Sequence, residues 1–333
     1  MTTRPRVFSG MQPTGGLHIG NYLGALKSWV ALQDDHDCIY CVVDYHAITI
    51  DYEVQQLRQR VERVVRGYLA AGVDPERSVI LVQSAVPEHT ELAWVFNTVT
   101  PMGLLGRMTQ FKDKSRDHAE NINVGLYTYP VLQAADIAVY KAQAVPVGED
   151  QQQHLELARD VVRKFNLRFG DTFPEPQTIL SKAPRVLGLD GERKMSKSLG
   201  NDIGLEDTAE EVWKKLAPAP TDPARMRKTD PGEPTKCNLY SYHRFFSSPE
   251  TLQWVEQGCR GASIGCVQCK RKLHEHMEVE LAPVRERLVE LSARPDHVRD
   301  VLSDGVKRMR PVAQATLDEV RERIGIGRRG SPA

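Results

Sequence analysis

Two segments that lie far apart in the chain carry residue types suited to holding a nucleoside triphosphate. The first, residues 12–21, reads Gln-Pro-Thr-Gly-Gly-Leu-His-Ile-Gly-Asn and sets His18 among glycines where a strand is expected to turn into a helix. The N-terminus of a helix presents unpaired N–H groups to an anion, and glycines let a phosphate approach the backbone closely. His18 adds a side-chain donor for a phosphate oxygen in either tautomer.

The second segment, residues 193–201, is a cationic loop that reads Arg-Lys-Met-Ser-Lys-Ser-Leu-Gly-Asn. Lys194 and Lys197 can flank a pyrophosphate as point charges, and Ser196 and Ser198 add hydroxyl donors. Taken separately, a glycine turn with a core histidine and a solvated charged loop explain the two segments equally well. Their occurrence together, in this order, predicts a nucleotide site that uses both.

A lone carboxylate interrupts an apolar helical pattern in the middle of the chain. Asp136 lies within Val-Leu-Gln-Ala-Ala-Asp-Ile-Ala-Val, residues 131–139. A carboxylate buried at such a position is costly unless it is paired. A hydrogen bond or ion pair to a neighbouring helix would meet that need, and so would a ligand that donates a hydrogen bond.

Four of the six cysteines follow the spacing C-x21-C-x6-C-x2-C: Cys237, Cys259, Cys266 and Cys269. The C-x2-C pair can place two thiolates on one metal, and four thiolates suit either zinc or an iron–sulfur cluster. The other two, Cys38 and Cys41, lie in an apolar strand-like run and are predicted to be core residues. A basic run, residues 270–272, follows the last of the four and is a candidate contact for RNA phosphates.

The composition excludes several classes of protein. Lys and Arg number 44, Asp and Glu number 44, and the formal net charge is zero, so any nucleic-acid site is a local patch. No charged-then-apolar signal peptide is evident, and no apolar run approaches the roughly 18 residues that a membrane helix needs. We therefore expect a cytoplasmic protein without membrane association, in which the cysteines are reduced.

Strand and helix patterns alternate through the first half of the chain. Strand-like runs at 7–9, 38–43, 78–82 and 144–147 alternate with helical patterns at 19–32, 54–71, 126–140 and 148–165. This alternation predicts an α/β fold with a doubly wound, Rossmann-like parallel sheet, whose ligands bind beyond the carboxyl ends of the strands. From Leu239 onward only helices are expected, which predicts a second, mainly helical domain.

The chain is long enough for two domains. We predict a Rossmann-like catalytic domain at 1–193, a cationic loop at 194–205, a helical domain with the four cysteines at 206–295, and a C-terminal helix and tail at 296–333.

The two nucleotide motifs resemble the HIGH and KMSKS signatures of class I aminoacyl-tRNA synthetases, with Asn21 in place of the final His of HIGH. Four further stretches resemble bacterial tryptophanyl-tRNA synthetases in particular: residues 8–15, 43–47, 107–112 and 147–151. The resemblance implies a homodimeric enzyme that activates L-tryptophan with ATP to tryptophanyl-adenylate, releases pyrophosphate and transfers tryptophan to tRNA(Trp). Mg²⁺ is expected to bridge the phosphates rather than to occupy a dedicated protein cage.

The resemblance also implies roles for individual residues. It assigns catalysis to His18, Lys194, Ser196 and Lys197, and the ATP site to Gln12, Pro13, Thr14, Gly20, Asn21, Gly148, Glu149, Asp150, Val186, Lys194, Met195, Ser196, Lys197 and Ser198. In the tryptophan site, Asp136 accepts the indole N–H. The walls are Phe8, Val43, His46, Val145 and Val147, and the side chains that face the ammonium group are Tyr129 and Gln133. Gln133 departs from the Met common in some members of the family.

A subset of the family carries a similar cysteine spacing with a [4Fe–4S] cluster in the helical, anticodon-binding domain. This resemblance favours a cluster over a structural Zn²⁺ at Cys237, Cys259, Cys266 and Cys269.

Three other functions are considered. A tyrosyl-tRNA synthetase shares a pattern like residues 132–136, but the stretches at 8–15 and 148–151 favour tryptophan. A synthetase-like binding or regulatory protein that has lost aminoacylation would not need an intact His18 and an intact 194–198 loop. A small-molecule nucleotidyltransferase shares the H-x-G motif but would not need a helical domain with a metal site.

Overall fold

The computed structural model describes residues 4–109, 120–180 and 186–327, and the side chain of Glu149 also lies outside the described part. The stretch 107–112, which carries part of the family resemblance, is described only as far as Thr109. The chain forms two compact units. Unit 1 contains Met1–Thr14, Ser28–Lys182 and Arg294–Ala333, and unit 2 contains Gly15–Lys27 and Ala183–Ala293.

Unit 1 is built on a five-stranded sheet in which every neighbouring pair is parallel. The order across the sheet is β3-β2-β1-β4-β5, so the chain winds first to one side of β1 and then to the other. The strands are β1 Arg6–Met11, β2 Asp37–Val42, β3 Ser78–Val82, β4 Ala144–Val147 and β5 Gln177–Leu180. This confirms the predicted doubly wound α/β fold.

The neighbouring strands β2 and β3 contribute to the core because they are mostly apolar rather than alternating. β2 is buried from Cys38 to Val42, and β3 from Ser78 to Leu81, as expected for a parallel sheet covered on both faces. Cys38 and Cys41 are fully buried here, which confirms that they are core residues.

The helices of unit 1 cover this sheet. They are α2 Asp44–Ala47, α3 Val54–Ala70, α4 Glu88–Asn97, α5 Met102–Leu105, α6 Val124–Ala138, α7 Gln152–Phe169 and α12 Pro295–Ile324. A helical segment at 19–32, α1, runs from unit 2 into unit 1 and contains a π-helical turn, Tyr22–Leu26.

The C-terminal helix α12 packs on the sheet of unit 1. An added Cβ at Gly305 would lie 2.0 Å from the carbonyl oxygen of Ile80 in β3, so glycine permits a close backbone approach there. Lys141 also bonds Glu319 at 2.6 Å. Through these contacts with β3 and Lys141, α12 belongs to the α/β unit.

Unit 2 contains the short segment that begins α1, an extended connector and four helices. The helices are α8 Ala209–Leu216, α9 Asn238–Phe246, α10 Pro249–Arg260 and α11 Cys266–Ser292. Only helices are found from Asn238 to residue 327, as predicted. Among all described residues, no helix combines the length and apolarity needed to span a membrane.

Two elements differ from the sequence-based expectation. β5 lies outside the four strand-like runs identified in the sequence; it is a short edge strand of partly exposed residues that follows a Pro-rich segment, so its sequence lacks a strong strand pattern. The compact units also divide the chain at other positions than the predicted domains, because residues 15–27 cluster with 183–293. The roles given to the predicted domains stay predictions.

Candidate functional site

The carboxyl ends of β1 and β4 lie side by side where the strand order reverses. Residues 12–14 follow β1, and residues 148–150 follow β4, its direct neighbour. This edge is where a doubly wound sheet binds its ligands. An added Cβ at Gly148 would lie 2.8 Å from Oδ1 of Asp150, so the glycine makes room for that carboxylate. The structure thus brings Gln12, Pro13, Thr14, Gly148 and Asp150 to one edge of unit 1.

The predicted polar residues of the tryptophan site share one face of α6. Tyr129, Gln133 and Asp136 are spaced i, i+4 and i+7, which places them one above another on a helix. Asp136 is buried and Gln133 is half-buried. The helix therefore presents these three side chains together.

Asp136 receives three short hydrogen bonds. Its Oδ2 lies 2.7 Å from Nε2 of His46, and its Oδ1 lies 2.7 Å from both Nε2 of Gln83 and Nδ1 of His89. Burial by itself raises the pKa of the Asp136 carboxyl, but the bonds from His46 and His89 outweigh it and hold that pKa well below its usual range. Asp136 is therefore an ionised carboxylate that can only accept.

Buried side chains from several elements surround Asp136 in unit 1. Phe8 stacks on Tyr140 with ring centroids 5.8 Å apart, and His46 meets the Tyr129 ring edge-on at 6.1 Å. The predicted wall residues Phe8, Val43, His46 and Val145 are buried and Val147 is half-buried. The hydroxyl of Tyr129 bonds Nε2 of His154 at 2.9 Å, and burial raises the pKa of Tyr129 to about 12.

The sequence did not reveal the hydrogen-bond partners of Asp136 and Tyr129. Gln83 and His89 bond Asp136, and His154 bonds Tyr129. Gln83 directly follows the buried strand β3, and a polar residue at the carboxyl end of such a strand is a signal that could have found it. His89 and His154 lie in helices among apolar neighbours, where a histidine also fits an ordinary core role.

In unit 2, His18 caps the first turn of α1. Its backbone N–H donates to Oδ1 of Asn21 at 3.1 Å, and the Asn21 N–H donates to Nδ1 of His18 at 3.3 Å. Burial is the main cause that lowers the pKa of His18 to about 4; Asp202 opposes this effect, and the nearby Lys197 and Lys194 add to it. His18 is therefore neutral near pH 7. Because Nδ1 accepts, the ring proton lies on Nε2, and Nε2–H is the donor that this tautomer offers.

The two nucleotide motifs meet within unit 2. Backbone hydrogen bonds join residues 17–19 to residues 203–205. The N–H of Ile19 donates to the carbonyl of Ile203 at 2.9 Å. An added Cβ at Gly15 would lie 3.5 Å from Cδ of Lys197, and one at Gly20 would lie 3.5 Å from Cβ of Met195. The structure thus places the cationic loop against the glycine-rich turn.

The loop at 194–198 is held in shape by Asn201. The buried Asn201 side chain accepts from Ser196 N–H at 2.8 Å and donates to Asp190 at 2.8 Å. Met195 points inward and is buried, and its N–H donates to the carbonyl of Val186. Lys194, Lys197 and Ser198 stay exposed. The predicted cations therefore project from an anchored turn.

The four cysteines of unit 2 line one cavity: Cys237, Cys259, Cys266 and Cys269. Burial and the other three thiols nearby raise the pKa of Cys269 to about 12, and His243 Nε2 lies 3.3 Å from its sulfur. In the described ranges, however, no three His, Cys, Asp or Glu side chains are arranged to hold a metal ion. The four thiol donors and their common cavity suit a thiolate-bound metal, but the described side chains are not arranged as its coordination shell.

The basic residues that follow the cysteines, 270–272, differ in their exposure to solvent. Lys270 is buried, and its Nζ donates to the carbonyls of Ala217 and Ala219 at 2.5 and 2.7 Å. The expectation that Lys270 faces RNA is therefore wrong, because its ammonium group ties the connector to α11. Arg271 is exposed and lies over the Trp213 ring at 5.0 Å.

Comparison with known proteins agrees with this arrangement. Residues 1–282 match the family model of tRNA synthetases class I (W and Y). The chain is 52% identical to a tryptophan–tRNA ligase of Deinococcus radiodurans, over 96% of this chain and 98% of that protein, and 47% identical to one of Thermotoga maritima, over 96% and 99%. A crystal structure of tryptophanyl-tRNA synthetase from Campylobacter jejuni with ADP and tryptophan aligns with a TM-score of 0.86 at 34% identity, covering 96% of this chain and all of that one. The chain belongs to the class I tRNA synthetases for tryptophan and tyrosine, within their bacterial tryptophanyl branch.

Proposed function

We propose that this chain is a tryptophan–tRNA ligase of the cytoplasm. It activates L-tryptophan with ATP to tryptophanyl-adenylate and pyrophosphate, and then transfers tryptophan to tRNA(Trp). Family membership supports the class of reaction. The observation that supports tryptophan as substrate is the ionised carboxylate of Asp136, which is buried and bonded to His46, Gln83 and His89.

An indole N–H can donate a hydrogen bond but cannot accept one, so an acceptor-only partner suits it. Asp136 has that character because its carboxyl stays ionised. Phe8, Val43 and Val145 supply apolar walls for the ring, and Tyr129 and Gln133 lie along the same helix face toward the ammonium group. The indole N–H therefore distinguishes tryptophan from amino acids of similar size without editing.

Activation itself needs no protein nucleophile, because the carboxylate of tryptophan attacks the α-phosphorus of MgATP. Catalysis then rests on positioning and on stabilising phosphate charge. His18 donates its Nε2–H to a phosphate oxygen, and Lys194 and Lys197 neutralise the departing pyrophosphate, with Ser196 and Ser198 adding donors. Gln12, Thr14, Gly148 and Asp150 bind the rest of the nucleotide.

Tryptophan is predicted to support ATP–pyrophosphate exchange, and tyrosine is not. The physical reason is that Asp136 is placed for a ring N–H within walls sized for indole. Exchange with each amino acid at saturating ATP is the measurement. Comparable kcat/KM values for tryptophan and tyrosine would refute the specificity for tryptophan. The absence of exchange with either amino acid would instead favour a binding or regulatory protein without aminoacylation.

Lys197→Ala is predicted to lower kcat for adenylate formation on the order of 10²–10³-fold, while KM for tryptophan stays nearly constant. A charge that neutralises pyrophosphate acts mostly in the transition state. Single-turnover adenylate formation checks this, with Lys214→Ala as matched control, since Lys214 is an exposed lysine of the same unit paired with Glu210. Equal losses in ATP affinity and in rate would contradict the assignment.

We propose further that the four cysteines hold a [4Fe–4S] cluster, with structural Zn²⁺ as the alternative. Four thiol donors on one cavity support this, and the buried cations Arg225 and Lys270 at the same cavity offset the charge of thiolates. The cluster would link α10, which carries Cys259, to α11, which carries Cys266 and Cys269. Arg271 and Lys272 on α11 are then the basic residues offered to the anticodon arm of tRNA.

Protein purified without oxygen is predicted to be brown and to contain iron and sulfide. Cys266→Ser is predicted to lose the metal and to impair tRNA charging while sparing ATP–pyrophosphate exchange, because none of the four cysteines is among the residues proposed to bind tryptophan or ATP. Cys38→Ala, a core cysteine of unit 1, serves as control and keeps the metal. One zinc per chain would replace the cluster, whereas metal-free protein with full charging activity would refute the site.

We also propose a homodimer formed through unit 1. Exposed apolar side chains lie on neighbouring segments there: Ile48, Met102, Ile122 and Val124. The segments are joined by bonds from Asn123 to the Thr49 carbonyl and from Tyr127 to the Met102 carbonyl. Such a patch is unusual on a monomer surface and suits a second copy of the chain.

Light scattering is predicted to give twice the chain mass for the natural protein and the chain mass for Val124→Arg, because a buried guanidinium without a partner opposes association. Val289→Arg, at an equally exposed apolar position of unit 2, should leave the dimer intact. A monomeric natural protein at working concentration would refute this proposal.

A further inference from the structure

The two oxygens of the Asp136 carboxylate are not equivalent. A carboxylate offers about four lone-pair directions, two on each oxygen. Oδ1 already accepts from Gln83 and His89, whereas Oδ2 accepts from His46 alone among the described residues. One acceptor direction is therefore left, and it lies on Oδ2.

The Gln83 amide is held with its nitrogen toward Asp136. Its Oε1 accepts from the backbone N–H of Tyr45 at 3.0 Å, which fixes which end of the amide is the donor. Its Nε2 then reaches Oδ1 of Asp136 at 2.7 Å. Because the side chain is completely buried, no water competes for either bond.

His89 is held in the same way by a second partner. Its Nδ1 lies 2.7 Å from Oδ1 of Asp136 and its Nε2 lies 2.7 Å from the hydroxyl of Tyr140, and all three side chains are buried. An ionised carboxylate cannot donate, so Nδ1 of His89 carries the hydrogen of that bond. The Tyr140 ring packs on Phe8 and edge-on to His89, which fixes the plane of the imidazole.

We propose that His89, together with Gln83, is a positioning residue that fills both acceptor directions of Oδ1 and so directs the indole N–H of tryptophan to the remaining direction of Oδ2, beside His46. This inference rests on the proposed role of Asp136. A carboxylate held by two donors on one oxygen cannot rotate to meet a misplaced ring. The pocket therefore penalises any amino acid whose ring lacks an N–H at that point, because Oδ2 then keeps a desolvated, unused acceptor.

The test compares tryptophan with β-(benzo[b]thiophen-3-yl)alanine, in which sulfur replaces the indole N–H at nearly constant shape. The measured quantity is the ratio of the two kcat/KM values in ATP–pyrophosphate exchange. This ratio does not depend on the fraction of active enzyme, so partial misfolding of a variant does not affect it. The natural protein is expected to favour tryptophan on the order of 10–100-fold.

His89→Phe is expected to reduce this ratio about tenfold, mainly through a higher KM for tryptophan. His89→Asn is expected to restore it, because the Asn amide nitrogen can take the place of Nδ1 and donate to Oδ1. A merely structural histidine would lower both kcat/KM values together and leave the ratio unchanged. An unchanged ratio in His89→Phe, or equal loss in His89→Asn, would overturn the inference.

The variant Asp136→Asn distinguishes a failure of the proposed role of Asp136 from a failure of the inference about His89. If the natural protein discriminates and Asp136→Asn does not, Asp136 keeps its role whatever the His89 variants show. If the natural protein fails to discriminate, or Asp136→Asn retains full discrimination, the role of Asp136 is refuted and the inference about His89 falls with it.

Discussion

A carboxylate buried in an apolar helix is stable only when hydrogen-bond donors replace the water it has lost, and the pocket around Asp136 is organised by that requirement. Desolvating such a charge costs several kcal/mol, whereas each bond to a charged acceptor returns about 1.5–3 kcal/mol. Three donors, from His46, Gln83 and His89, therefore offset the cost. The result is an acceptor of fixed position and fixed charge, which is what recognition of an indole N–H needs.

The topology of the sheet delivers those donors. His46 lies in α2 directly after β2, and Gln83 directly follows β3, so both stand at the carboxyl edge of adjacent parallel strands. Helix α6, which carries Asp136, leads into β4 on the other side of β1. In unit 2, buried or half-buried amide side chains likewise hold the groups that we propose to bind phosphate: Asn21 orients His18, and Asn201 shapes the turn that projects Lys194 and Lys197. Polar side chains with buried partners thus fix the geometry in both units.

Most of the fold could be predicted from sequence because strands such as β2 and β3 are mostly apolar and alternate with helices of clear periodicity. β5 could not, since an edge strand of four partly exposed residues carries little pattern. Asp136 was found because a charge in an apolar helix is conspicuous. Its donors were not, because they lie 90, 53 and 47 residues away and no local pattern links them to it. Lys270 was misjudged for a related reason, since its partners are backbone carbonyls that a sequence does not reveal.

The central claim is that Asp136 accepts the indole N–H through Oδ2. A crystal structure of the protein with L-tryptophan bound tests it most directly. The account predicts the indole nitrogen about 2.8–3.0 Å from Oδ2 of Asp136, with His89 and Gln83 still bonded to Oδ1. An indole nitrogen directed at the valine walls, or bonded to a group other than Asp136, would contradict it.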